Sequence, residues 1–168
     1  MSKKNYNVVL NSNFCTFDSA GNTNSNKNYY IDWSSILPDK KFKLTFSFIS
    51  KTCIINTLVQ IPIITIDFLN QANNYKCQQS STTYQATSSN ILGLIFPSYL
   101  LSANSPFSFL RADKDYNTPI YLSRPRQNYF NVSMINNNNP PVLWVDESAP
   151  TPLDFPAYVL ILSFEECE

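Results

Sequence analysis

The chain contains no histidine. That removes the commonest general base, any Ser-His-Asp or Cys-His nucleophile system, and the most frequent transition-metal ligand. Glycine is nearly absent as well, with only Gly21 and Gly93. The turns must therefore be made by Asn, Asp and Pro, which tolerate or pre-set turn geometry for different reasons. Glutamate occurs only at Glu147, Glu165, Glu166 and Glu168, and alanine is thinly spread. Little is left from which to build helices. Charged residues make up 14% of the chain, against about a quarter in an ordinary globular domain. The 12 basic and 12 acidic residues cancel, so no basic field exists to grip a phosphate backbone, and a nucleic-acid partner is not expected. A net charge of zero also removes repulsion between copies and favours self-association.

Other absences narrow the setting. The four cysteines, Cys15, Cys53, Cys77 and Cys167, show no C-x-x-C spacing of a metal or redox site. The lysines after Met1 are not followed by an apolar run, so no secretion signal is expected and the thiols are expected to be reduced. The longest apolar stretch, Ile54 to Leu69, is broken by Asn56, Gln60, Pro62 and Asp67, which rules it out as a membrane-spanning helix.

What is present is strand and turn chemistry. Asn stands at 21 positions, beside abundant Ser, Thr, Ile, Tyr and Phe, and 11 prolines punctuate the chain. Phe42, Leu44, Phe46 and Phe48 alternate with Lys43, Thr45, Ser47 and Ile49, which predicts a strand with one wet and one aromatic face. Tyr6, Val8 and Leu10 predict a first strand, and Thr16 to Asn28 reads as a loop. A short strand follows at Tyr29 to Trp33 and breaks at Ser34 to Pro38. Leu58 to Phe68 reads as a central strand bent at Pro62. Asn73 to Gln79 and Thr82 to Thr87 read as a pair, and Ile91 to Phe96 as a strand ending at Pro97. Phe107 to Arg111, Pro119 to Leu122, and Asn128 to Ile135 with Phe130, Val132 and Met134 inward complete the middle. Tyr158 to Phe164, apolar on both faces, reads as a buried central strand. The pattern predicts an all-β fold, an antiparallel β-sandwich spanning residues 1–168 as one domain.

Few residues are placed to carry chemistry. A glycosidase needs two carboxylates across one cleft, but Asp32, Asp67 and Asp154 are scattered singly. Asp113-Lys-Asp115-Tyr-Asn117 begins like a calcium loop, yet Thr118 and Arg124 stand where glycine and glutamate are required. No catalytic residue, metal ligand or cofactor is expected, and the chain is not expected to be an enzyme. The sequon Asn131-Val-Ser133 falls in a predicted strand. Two of the three arginines sit in Arg124-Pro-Arg126-Gln-Asn-Tyr129. Arg124, Arg126 and Tyr129 are the candidate protein contacts, against the plainer reading of a surface turn before a strand. Glu165-Glu-Cys-Glu168 reads as a solvated end. Tyr29, Tyr30, Trp33, Tyr99 and Trp144 lie near loop-like stretches, and Trp33 and Trp144 are candidate ligand contacts, since aromatic faces stack on sugars; the alternative is core packing.

Several segments in order resemble the small single jelly-roll virion proteins of large double-stranded DNA viruses, virophages and polinton-like viruses. These are Tyr30 to Pro38 running into Phe42 to Ser50, Leu92-Gly93, Asn117 to Val132, and the closing strand Tyr158 to Glu165. The resemblance implies an eight-stranded jelly roll serving as a minor capsid, penton or cement component. It further implies a homo-oligomer, trimer or pentamer, that contacts other capsid proteins in the virion after assembly in the host cytoplasm. A glycan- or ligand-binding β-sandwich is the alternative.

Overall fold

Lys41–Ser50 carries the clearest two-residue period in the chain, and in the structure, a computed structural model, it is a strand. Phe42, Leu44, Phe46 and Phe48 are buried, while Lys41, Ser47 and Ile49 are exposed. The structure describes residues 3–14, 26–50, 63–71, 75–80, 83–88, 90–102, 105–112, 117–135 and 157–167. In chain order the described strands are β1 (Asn5–Asn11), β2 (Asn26–Tyr30), β3 (Lys41–Ser50), β4 (Ile63–Ile66), β5 (Tyr75–Ser80) and β6 (Thr83–Ser88). They continue as β7 (Ile91–Leu94), β8 (Phe96–Ser102), β9 (Ser105–Ala112), β10 (Ile120–Ser123), β11 (Tyr129–Ile135) and β12 (Tyr158–Glu166). One short helix, α1 (Trp33–Ile36), joins β2 to β3. Among the described residues no helix is long and apolar enough to cross a membrane.

The strands form two main antiparallel sheets and one hairpin. The first sheet runs β1-β12-β3-β9-β8, with β10 also on β3; the second runs β2-β11-β4-β7; β5 and β6 pair with each other. Along β3, β12 occupies one edge from Phe42 to Ser50. The other edge holds β10 opposite Lys41 to Leu44 and β9 opposite Phe48 and Ile49. The eight strands outside the two hairpins β5–β6 and β8–β9 pair in a nested way. β1 lies on β12, β2 on β11, β3 on β10 and β4 on β7.

One cluster of buried side chains joins the inner faces of both sheets, making an all-β sandwich. Leu160, Leu162 and Phe164 of β12 lie opposite Phe48, Phe46 and Leu44 of β3 and are buried with them. Each such Phe or Leu contributes roughly 1.5–3 kcal/mol by leaving water. The second sheet answers with Tyr29, Ile64, Ile66, Phe130, Val132 and Met134. Between the sheets the hydroxyls of Tyr29 and Tyr158 meet at 3.3 Å, so neither buried polar tip is stranded. Lys27 shares Tyr29's inward face and is buried, and no carboxylate among the described residues pairs with it.

Some elements differ from the sequence expectation. The strand expected at Tyr29 to Trp33 instead starts at Asn26, inside the stretch read as loop, and ends at Tyr30. Its outward asparagines are strand residues because they have cross-strand partners. Asn131 Nδ2 donates to Asn28 Oδ1 at 3.0 Å and to Asn26 Oδ1, while Ser133 Oγ donates to Asn131 Oδ1. Of the long strand expected at Leu58 to Phe68, the described part is Ile63–Ile66, after which Asp67–Gln71 winds into a 3-10 turn. Residues 58–62, and with them the bend at Pro62, lie outside the described residues. Pro97 does not end a strand: it sits second in β8, the last strand of its sheet, where a missing N–H breaks no ladder.

Candidate functional site

Asp32 starts the local structure at one end of the sandwich. It is the N-cap of α1, with extended backbone at φ −78° and ψ 91°. One carboxylate oxygen, Oδ1, accepts from the Ser34 backbone N–H at 3.1 Å and the Ser34 hydroxyl at 2.6 Å. The Ser34 hydroxyl bond is the main reason the Asp32 carboxyl titrates below its ordinary range, with backbone N–H bonds and the nearby Arg124 charge adding to it against partial burial.

The turn between β10 and β11 is tied along this helix. Trp33 N–H donates to Asn128 Oδ1 at 3.4 Å, the Trp33 indole N–H to the Gln127 carbonyl at 3.0 Å, and Ile31 N–H to the Asn128 carbonyl at 2.9 Å. Arg124 donates from its backbone to the Lys40 carbonyl at 3.1 Å and from Nη1 to the Leu37 carbonyl at 3.2 Å. Its Nη2 lies 3.9 Å from the exposed Asp39 carboxylate. These segments enclose an open cleft of about 360 Å³, lined by Asp32, Ser34, Asp39, Arg124, Arg126 and Asn128, with Pro125 between the arginines.

The candidate contacts divide accordingly. Arg124 and Arg126 come together at the cleft, but Arg124 is half spent on holding α1 and β3, whereas Arg126 is exposed and has no ion pair among the described residues. Tyr129 is 59% exposed on the outer face of the second sheet, its ring 4.6 Å from that of Tyr30, and it does not line the cleft. Trp33 must be corrected. It is 0% exposed, with ring centroids 5.3 Å from Phe68 and 5.6 Å from both Phe130 and Phe164. Its faces and edges are covered by one ring from each sheet and by Phe68 of the 3-10 turn, which leaves no surface for a ligand. Tyr29 is likewise buried. Trp144 lies outside the described residues, as do Asp154 and the calcium-like stretch up to residue 116. Asn117, the last residue of that stretch, is bound to the backbone of β7, accepting from Leu94 N–H at 2.9 Å and donating to the Leu94 carbonyl at 3.3 Å. Asp67 also holds the fold together, since its Oδ2 accepts from Asn131 N–H at 3.0 Å where β4 has turned away from β11. The sequon asparagine lies inside β11, its amide held by Asn26 and Asn28.

Glu165 and Glu166 are not a loose solvated end. Both belong to β12, where Glu165 lies within 3.6 Å of Lys3 and Lys43. Glu166 accepts from Lys40 Nζ at 2.6 Å and from the Tyr6 hydroxyl at 2.9 Å. The Lys40 bond, then that of Tyr6, pulls the Glu166 carboxyl below its usual range. The Glu166 bond in turn raises both partners. Among the described residues, no three His, Cys, Asp or Glu side chains converge as metal ligands.

Sequence reasoning missed Asp32, Ser34 and Asn128 as cleft residues. An Asp two residues before a Ser, ahead of a short apolar turn, is a capping signal that could have marked the helix start, where a strand was expected instead. No local signal showed that residues 124–128 would lie against it. In comparison with known proteins, no family model, no curated protein and no solved structure matches this chain.

Proposed function

We propose that the chain is a non-enzymatic structural protein of a virion, a minor capsid, penton or cement component that works through protein–protein contact. The observation that carries this reading is the strand order. The set β1-β12-β3-β10 faces β2-β11-β4-β7, with first strand on last, second on second-to-last, and so inward. A long antiparallel hairpin rolled up on itself gives this nested order, which supports reading the sandwich as an eight-stranded jelly roll. Support also comes from the outer face of the first sheet, where Val9, Ile49 and Tyr121 are exposed, and from the zero net charge. The resemblance of Asn117 to Val132 and of the closing strand to single jelly-roll virion proteins points the same way.

The test is the mass of the full-length protein by light scattering over a wide concentration range, joined to mass spectrometry of purified particles. A discrete trimer or pentamer together with recovery from particles supports the proposal. A monomer at all concentrations that is also absent from particles overturns it.

A further inference from the structure

The cleft beside α1 holds three hydrogen-bonding groups with capacity left over. Asp32 takes both Ser34 bonds on Oδ1, and with the Ser35 N–H also against its carboxyl it keeps lone pairs to accept a further donor. Asn128 uses its oxygen on Trp33 N–H, leaving the amide Nδ2 without a partner among the described residues. Arg126 is exposed, and its guanidinium has no ion pair or hydrogen bond among the described residues. One acceptor and two donors therefore face the same space.

Charge decides what that space suits. Two arginines and two aspartates line it, so it carries no net charge. A phosphate or carboxylate would gain from Arg126 but meet Asp32 and Asp39, and a metal cation would meet Arg124 and Arg126. A neutral group rich in hydroxyls avoids both penalties, because each hydroxyl donates and accepts. One vicinal diol can donate to the Asp32 carboxylate while accepting from Asn128 and Arg126. A volume of about 360 Å³ is near the lower end of small-ligand sites, ~300–1,000 Å³, and fits one sugar ring.

We propose that the cleft formed by Asp32, Asn128 and Arg126 is a binding site for a single neutral sugar residue of a glycan. This inference does not rest on the virion reading, since a monomer found in no particle could bind a sugar equally well. Arg126 and Asp32 select hydroxyls, and the site is open enough for the rest of a glycan to extend into solvent.

The experiment is saturation-transfer NMR on the full-length protein. The probes are the methyl pyranosides of glucose, galactose, mannose and N-acetylglucosamine, with N-acetylneuraminic acid and inorganic phosphate as anionic comparators. At least one neutral pyranoside should show transfer at millimolar concentration. R126A, which removes no hydrogen bond or ion pair among the described residues, should weaken that binding by about tenfold, the loss of one charge-assisted hydrogen bond, while melting as the wild type does. D32N keeps a residue that caps a helix as well as Asp does, and it should weaken binding comparably without unfolding. The proposal is overturned if no neutral sugar gives transfer, if R126A and D32N bind as the wild type does, or if only the anions bind. It is also overturned if R126A alters the solution mass while no sugar binds, because the cleft would then be a contact between copies, and the assembly reading would stand without it.

Discussion

Replacing Trp33 with alanine removes a side chain that bridges α1, both sheets and the 3-10 turn after β4. The indole is fully buried, touches the rings of Phe68, Phe130 and Phe164, and donates to the Gln127 carbonyl at 3.0 Å. Truncation of such a Trp costs about 3–5 kcal/mol, from lost burial and the void left among rings that cannot all move inward. A domain of this size loses ~2–4 °C of midpoint per kcal/mol, so W33A should melt roughly 6–20 °C lower. W33F keeps a ring but loses the N–H and leaves the Gln127 carbonyl short of a donor, for a smaller cost of about 1–3 kcal/mol. The assay is thermal and urea unfolding followed by circular dichroism. With Trp144 as the only other tryptophan, a W144F background lets Trp33 fluorescence be read alone. It should be blue-shifted and resistant to acrylamide. Melting of W33A within a couple of degrees of wild type, or a red-shifted and readily quenched Trp33, would refute the placement of this residue at the centre of the core.

A Cβ on Gly93 would overlap the Asn117 side-chain oxygen and, at 2.5 Å, the Phe46 ring. G93A should therefore lower stability by about 1–3 kcal/mol in urea titration, and an unchanged midpoint would mean that β7 does not pass so close to β3. Glu166 should show in the acid limb of stability. Its carboxyl is held below the ordinary value of 4.5, first by Lys40 and then by Tyr6. Its contribution is thus present above that value and is lost as pH falls through the lowered folded-state pKa. Wild type should be more stable than E166Q at neutral pH, with the gap closing as the pH drops below 4.5. A gap independent of pH would show that the Lys40 and Tyr6 contacts do not form in solution.

Much of the strand layout was legible because it depends on alternation. Phe42 to Phe48, Phe130 to Met134 and Tyr158 to Phe164 each carry inward residues at every second position, and each is a strand with those residues buried. Arg124 and Arg126, two positions apart in the chain, both line the cleft. Asn26 and Asn28 were not legible as strand residues, because an asparagine in a strand differs from one in a loop only by its partner across the sheet, here Asn131. Glu166 read as an end for the same reason: Lys40 and Tyr6, which hold it, lie 126 and 160 positions away in the chain.

The amino-acid sequence by itself determined the all-β class. It has too little helix-forming residue and too strong a two-residue period in its apolar runs for any other architecture to bury them. It also determined which face of β3 and β11 turns inward, since side chains alternate along a strand whatever lies opposite, whereas β12 is apolar on both faces and its inward face was set by its neighbours. Only the tertiary structure decided the nested pairing of first strand with last, the burial of Trp33, and the meeting of Asp32 with Asn128 and Arg126 around one cleft. Those depend on contacts between residues about 90 to 160 positions apart, and a contact across a sheet leaves no period in the local sequence that could reveal it.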